Sequence, residues 1–106
     1  KYSNGETALQ ILDDCLHPDA LYLLDEPENS LSPTKQQELS QFIEDSARFF
    51  HCQFVIATHS PFLLAMRGAK IYDLDADPMT VRRWTELPAV HAYYDFFQAH
   101  GSEFEK

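Results

Sequence analysis

A chain of 106 residues with 44% hydrophobic and 24% charged residues is long enough for one unit with a single core, and its composition excludes wholesale disorder. The formal net charge of −9, from 17 acidic and 8 basic residues, argues against direct nucleic-acid binding by this segment, because such binding depends on Lys and Arg neutralising phosphates. No apolar run approaches the ~20 residues that a membrane span requires, so none is expected.

The first predicted elements are a helix and a strand. Ser3 and Glu6 have the spacing of a capping box, and the apolar residues that follow predict a helix over residues 5–16. A nearly unbroken apolar run at residues 20–24 ends at Asp25 and Glu26. Such a run predicts a strand buried on both faces of a parallel sheet.

The rest of the chain continues this alternation. Ser32 before Pro33 combines an N-cap with proline at the first helical position, which predicts a helix over residues 33–50. A second strand is predicted at residues 53–57 and a brief helix at residues 62–66. Residues 71–74 and 80–84 are predicted to form a hairpin at the sheet edge, followed by a weaker helix over residues 89–100. This order indicates an α/β fold with a largely parallel sheet.

Two adjacent acids follow the first strand, at the edge where open α/β sheets bind ligands. Asp25 can help to hold a Mg²⁺ ion that bridges nucleotide phosphates. Glu26, which the pleat directs to the other side, can orient or polarise an attacking water molecule. The alternative for this pair is a solvated acidic turn.

His59 follows the second predicted strand and is therefore expected beside Asp25 and Glu26. A histidine in that place can hydrogen-bond a terminal phosphate and the attacking water. By itself it can equally be a capping or partly buried histidine, but the two acids favour the catalytic interpretation. At the start of the first helix, Ser3 and Gly5 can form an anion site with free backbone N–H groups, although simple capping also explains Ser3.

In this order the motifs resemble those of ABC-type ATPases, including relatives of SMC and DNA-repair ATPases and the predicted ATPases of the overcoming-lysogenization-defect type. The resemblance covers residues 2–74, and the wording around the motifs is similar to that of bacterial AAA-labelled, ABC-like ATPases. The matching segments are Ser3-Asn4-Gly5-Glu6 (signature), residues 21–26 (Walker B), Asn29-Ser30-Leu31-Ser32 (D-loop) and His59 (switch histidine).

This resemblance implies a partial P-loop NTPase fold and a homodimer that holds ATP and Mg²⁺ head to tail between its two copies. Asp25 would be the metal ligand, and Glu26 and His59 would be catalytic residues. Asn4 departs from the commonest signature glycine, and Ser32 from the aspartate of transporter D-loops, which argues against a transporter. The implied cofactor-binding residues are Ser3, Asn4, Gly5, Glu6, Ser30 and Ser32.

One motif of the family cannot be written in this sequence. Glycine occurs only at positions 5, 68 and 101, and lysine only at positions 1, 35, 70 and 106, so there is no Gly-x-x-x-x-Gly-Lys-Ser/Thr phosphate-binding loop (Walker A). We expect the chain to be the C-terminal half of an ABC-type ATPase domain, with its natural N-terminus upstream. The chain by itself is then inactive and the parent protein hydrolyses ATP. The alternative is a non-catalytic protein-interaction module that retains ATPase-like motifs.

The two cysteines give no sign of a metal or disulfide framework. Cys15 and Cys52 lie in apolar stretches without metal-ligand spacing, as small buried residues do in a reducing compartment. This pattern predicts a cytoplasmic protein.

Overall fold

The computed structural model describes residues 17–105. The helix predicted over residues 5–16 and the signature residues Ser3, Asn4, Gly5 and Glu6 lie outside this range. The chain divides into two units, Lys1–Arg67 and Gly68–Lys106, and the predicted catalytic residues all belong to the first.

Two parallel strands, β1 (Leu21–Asp25) and β2 (Gln53–Ala57), are connected by helix α1 (Pro33–Phe49). The prediction of an α/β arrangement with parallel pairing is therefore confirmed. The register places Asp25 opposite Ala57, so both strands end at the same level. A short helix, α2 (Pro61–Leu64), follows β2 after three residues.

Helix α1 begins and ends close to where its sequence predicts. The hydroxyl of Ser32 accepts a hydrogen bond from the backbone N–H of Lys35 at 3.2 Å, and Pro33 occupies the first turn. The buried face of α1 carries Leu39 and Ile43, which have the spacing of one helical face. These residues form a core with Leu31 and Leu63, and the partly buried residues packed against it are Leu24, Phe42, Phe54, Ile56 and Met66.

The expectation that the first strand is buried on both faces is wrong for this chain. Burial alternates along β1 and β2, and Leu21, Leu23 and Val55 are exposed, Leu23 by 73%. The core built on α1 and α2 takes up the side chains of one face, including those of Leu24 and Ile56. An apolar run shows that a strand can be covered on both sides, but not that the same chain supplies both covers.

The second unit contains the predicted hairpin, with β3 (Ile71–Asp73) antiparallel to β4 (Thr80–Arg82). Two details of the prediction are wrong. The hairpin forms a two-stranded sheet of its own instead of an edge of the parallel sheet. The second strand ends at Arg82, because residues Trp84–Glu86 form a 3-10 turn in which the carboxylate of Glu86 accepts the backbone N–H of Arg83 at 2.8 Å.

An ion pair supports this hairpin, in which Arg82 Nε donates to Asp73 Oδ2 at 2.9 Å. The last helix, α3 (Pro88–Ala99), begins with proline in its first turn, close to the predicted start. Among residues 17–105, no helix combines the length and the apolar character needed to cross a membrane.

Candidate functional site

The parallel pairing of β1 and β2 brings the two predicted catalytic segments side by side. The backbone N–H of Glu26 donates to the carbonyl of Ala57 at 2.7 Å, which extends the strand pairing by one hydrogen bond beyond Asp25. The residues that follow each strand therefore leave the sheet at one edge. In open α/β sheets this carboxyl-terminal edge is where ligands bind.

Glu26 and His59 meet at this edge. His59 Nδ1 lies 3.9 Å from Glu26 Oε2, with the side chains 81% and 43% exposed. The distance is too long for a hydrogen bond, and an ion pair this exposed contributes little to stability. Both groups face solvent and are accessible to a ligand that reaches the sheet edge.

The backbone of Glu26 adopts a conformation that residues other than glycine rarely adopt. Its φ is +47°, in the left-handed region, which costs an L-residue about 1–2 kcal/mol. The chain turns tightly here, since the N–H of Asn29 donates to the carbonyl of Glu26 at 3.1 Å. Strained residues concentrate at functional sites, and this one coincides with the predicted catalytic carboxylate.

Asp25 is the last residue of β1 and is exposed. Among residues 17–105, no group of three or more His, Cys, Asp or Glu side chains is arranged to hold a metal ion. A single exposed carboxylate does not make a metal site of the protein's own. The carboxylate of Asp25 nevertheless suits Mg²⁺, because this ion keeps several waters and is usually held by one or two carboxylates together with substrate phosphates.

The predicted D-loop residues have separate places in the turn between β1 and α1. Ser30 is exposed, with a φ of +70°. The hydroxyl of Ser32 already caps α1 through Lys35, a structural role that its position before proline explains.

Sequence reasoning assigned no role to Glu28, yet this residue links the two loops of the site. Its carboxylate accepts a hydrogen bond from the hydroxyl of Thr58 at 2.6 Å and one from the backbone N–H of His59 at 3.2 Å. The only signal in the sequence is a third acid shortly after Asp25 and Glu26. Nothing local indicates a partner 30 residues away.

Ser60 and Gln36 were missed in the same way. The hydroxyl of Ser60 donates to Gln36 Oε1 at 2.7 Å, and Gln36 Nε2 donates to the carbonyl of Leu31 at 3.1 Å. Ser60 is buried and also caps α2 by accepting the N–H of Leu63. The segment that carries His59 is thus tied to α1 on one side and to the turn after β1 on the other.

Residues 1–65 match the family model described as "AAA domain, putative AbiEii toxin, Type IV TA system". The match spans more than half of the 106 residues and includes Asp25, Glu26 and His59. No curated protein matches the chain.

Proposed function

The chain belongs to this AAA domain family, and on that premise we propose that it is the C-terminal half of an ABC-type ATPase domain. In the full-length protein this domain binds ATP with Mg²⁺ and transfers the γ-phosphoryl group to water. One observation supports the proposal most directly: a half-exposed glutamate and an exposed histidine lie 3.9 Å apart where two parallel strands end.

Each residue of the edge has a role in this proposal. Glu26 accepts a hydrogen bond from the attacking water, orients it and takes up its proton. His59 donates a hydrogen bond to an oxygen of the γ-phosphate. Asp25 is the residue that would hold Mg²⁺, and the ion, when bound, neutralises charge on the β- and γ-phosphates.

The ABC-type assignment includes a second copy of the domain. Two copies enclose ATP head to tail, and the segments implied by the resemblance face the nucleotide held by the other copy. Ser30 is exposed and lies in the turn between β1 and α1. Its exposure is compatible with a contact to a nucleotide held between the two copies. Ser3 and Gly5 contact the γ-phosphate held by the other copy, and the residues assigned to cofactor binding as a whole are Ser3, Asn4, Gly5, Glu6, Ser30 and Ser32.

The phosphate-binding loop has to come from outside this sequence, because no Walker A motif can be written in it. The chain by itself is then unable to retain ATP, since the backbone cradle and its lysine supply much of the contact with the phosphates. The family match does not favour the alternative of a non-catalytic interaction module.

Cys52 is a buried free thiol, which agrees with our placing the protein in the reducing cytoplasm.

The proposal is tested by replacing Glu26→Gln in the full-length protein. We expect ATP binding to be retained and turnover to fall by at least about 100-fold, because the amide cannot accept the proton of the attacking water. Glu38→Gln is a matched control, since it makes the same change of charge at an exposed residue of α1.

Single-turnover hydrolysis by the Glu26→Gln variant near the wild-type rate would refute the catalytic assignment. Isothermal titration calorimetry on the 106-residue chain is expected to show no ATP binding at micromolar concentration. A strong, magnesium-dependent heat of binding would mean that the phosphate site has been misplaced.

A further inference from the structure

Glu28 is half-buried and lies in the turn between β1 and α1. The N–H of Leu31 donates to the carbonyl of Glu28 at 2.9 Å, which holds the backbone of this turn. The carboxylate reaches across to the segment after β2, where Thr58 and His59 each donate a hydrogen bond to it, at 2.6 Å and 3.2 Å. One side chain thus connects the loops that carry Glu26 and His59.

The chemistry of these contacts calls for an acceptor with two free oxygens. The hydroxyl oxygen of Thr58 accepts the backbone N–H of Ser60 at 3.0 Å, so its own proton is free to point at Glu28. The second contact of Glu28 is a backbone N–H of His59, which can only donate. A carboxylate satisfies both donors, and hydrogen bonds to a charged acceptor are stronger than those between neutral groups.

These contacts fix the backbone of His59 and leave its imidazole free. The side chain of His59 is 81% exposed, so packing does little to orient it. Its position beside Glu26 depends on where the loop holds its backbone. The loop is held from one side by Glu28 and from the other by Ser60, whose hydroxyl bonds Gln36 of α1.

We infer that Glu28 is a positioning residue that sets the location of His59 relative to Glu26, an inference that rests on the proposed function. Both oxygens of Glu28 are engaged, so it is less available to a metal or a water than the exposed carboxylate of Asp25. It acts on the reaction through the backbone of His59. Thr58 supplies the other half of this link through its hydroxyl.

The first test measures amide hydrogen exchange at His59 in this chain. Glu28→Ala removes both acceptors and is expected to speed exchange at the His59 amide by about tenfold or more, since a hydrogen bond to a charged group is lost. Glu28→Gln keeps one carbonyl oxygen and is expected to lie between this variant and the wild type. An exchange rate unchanged in Glu28→Ala would overturn the inference.

The second test uses two substitutions of Thr58 that perturb the fold less than the loss of Glu28. Thr58→Ser keeps the hydroxyl and is expected to retain the wild-type exchange rate at His59. Thr58→Val keeps the shape but removes the donor to Glu28 and is expected to speed this exchange. Equal exchange in the serine and valine variants would show that the hydroxyl does not hold the loop.

The third test separates positioning from stability in the full-length protein. Glu28→Ala is expected to lower kcat by about 10- to 100-fold, as loss of a supporting residue commonly does, and to weaken ATP binding by a smaller factor, because His59 also bonds the γ-phosphate. Thr58→Ser is expected to keep kcat, as a conservative variant should. A loss of ATP affinity as large as the loss of kcat, or no loss of kcat, would contradict a positioning role.

Failure of the proposed function gives a different pattern. In that case Glu26→Gln does not reduce hydrolysis in the full-length protein, while exchange at His59 in the 106-residue chain still responds to Glu28. A turnover that depends on Glu26 but not on Glu28 would reject the positioning role and leave the ATPase assignment standing.

Discussion

Replacing Glu26 by glycine and by alanine separates the backbone cost of this residue from the loss of its carboxylate. The φ of Glu26 is +47°, where a Cβ costs about 1–2 kcal/mol. Glycine avoids that cost but loses about 0.5–1 kcal/mol more backbone entropy on folding than alanine does. We therefore expect the Glu26→Gly variant to be about 0.5–1 kcal/mol more stable than the Glu26→Ala variant.

The measurement is urea-induced unfolding of both variants, followed by circular dichroism and extrapolated to zero denaturant. Both substitutions remove the contact with His59, so the difference between them reports the backbone and not the carboxylate. Gln37 provides the control, because it is exposed and helical in α1, where glycine is about 1 kcal/mol less favourable than alanine.

The two sites should thus respond with opposite sign. At position 26 the glycine variant is expected to be more stable than the alanine variant, and at position 37 it is expected to be less stable. The two differences in the free energy of unfolding therefore have opposite signs and differ by about 1.5–2 kcal/mol. An equal penalty for glycine at both positions would refute the claim that the turn after β1 holds Glu26 under backbone strain.

Two further substitutions, at Leu39 and Ser60, test the contacts that support the site, and Ser32→Ala serves as a reference for the second. Leu39→Ala is expected to lower the free energy of unfolding by about 2–5 kcal/mol, because Leu39 is 0% exposed and its loss leaves a cavity in the core. The measurement is urea-induced unfolding. A decrease in the free energy of unfolding below about 1 kcal/mol would contradict this burial. Ser60→Ala removes a buried cap and the partner of Gln36, so it is expected to cost about 1–2 kcal/mol, against about 0.5–1 kcal/mol for Ser32→Ala at the exposed cap of α1. The opposite order in thermal unfolding would show that burial does not strengthen the Ser60 contacts.

Local chemistry was sufficient to predict β1, α1, β2 and α2, the helices and strands of the first unit within the described residues. Ser32 and Pro33 mark the start of α1 because a hydroxyl cap and a fixed φ favour that position whatever surrounds it. The apolar runs before Glu26 and before His59 predict strands for a similarly local reason. Parallel pairing of these strands then places Glu26 and His59 next to each other. The structure shows His59 Nδ1 at 3.9 Å from Glu26 Oε2.

Local chemistry failed where the answer depended on what packs against an element. The exposure of Leu21 and Leu23 could not be deduced from an apolar run, since the run is the same whether one face or two are covered. The hairpin's turn signals correctly predicted pairing of β3 with β4, but they carry no information about which sheet a hairpin joins. Trp84 has a strong strand preference, which the bond between Arg83 and Glu86 overrides.

From the residues alone, the positions of β1, α1, β2, α2 and α3 could be predicted closely within residues 17–105, because caps, prolines and apolar spacing act within a few residues. The contact of Glu28 with Thr58 and with the backbone of His59 is visible only in the folded chain. Glu28 lies 30 positions before Thr58 and 31 positions before His59 in the sequence, and the parallel register that sets Asp25 opposite Ala57 brings the two segments together. No local pattern encodes this register, since it depends on how two distant segments pair.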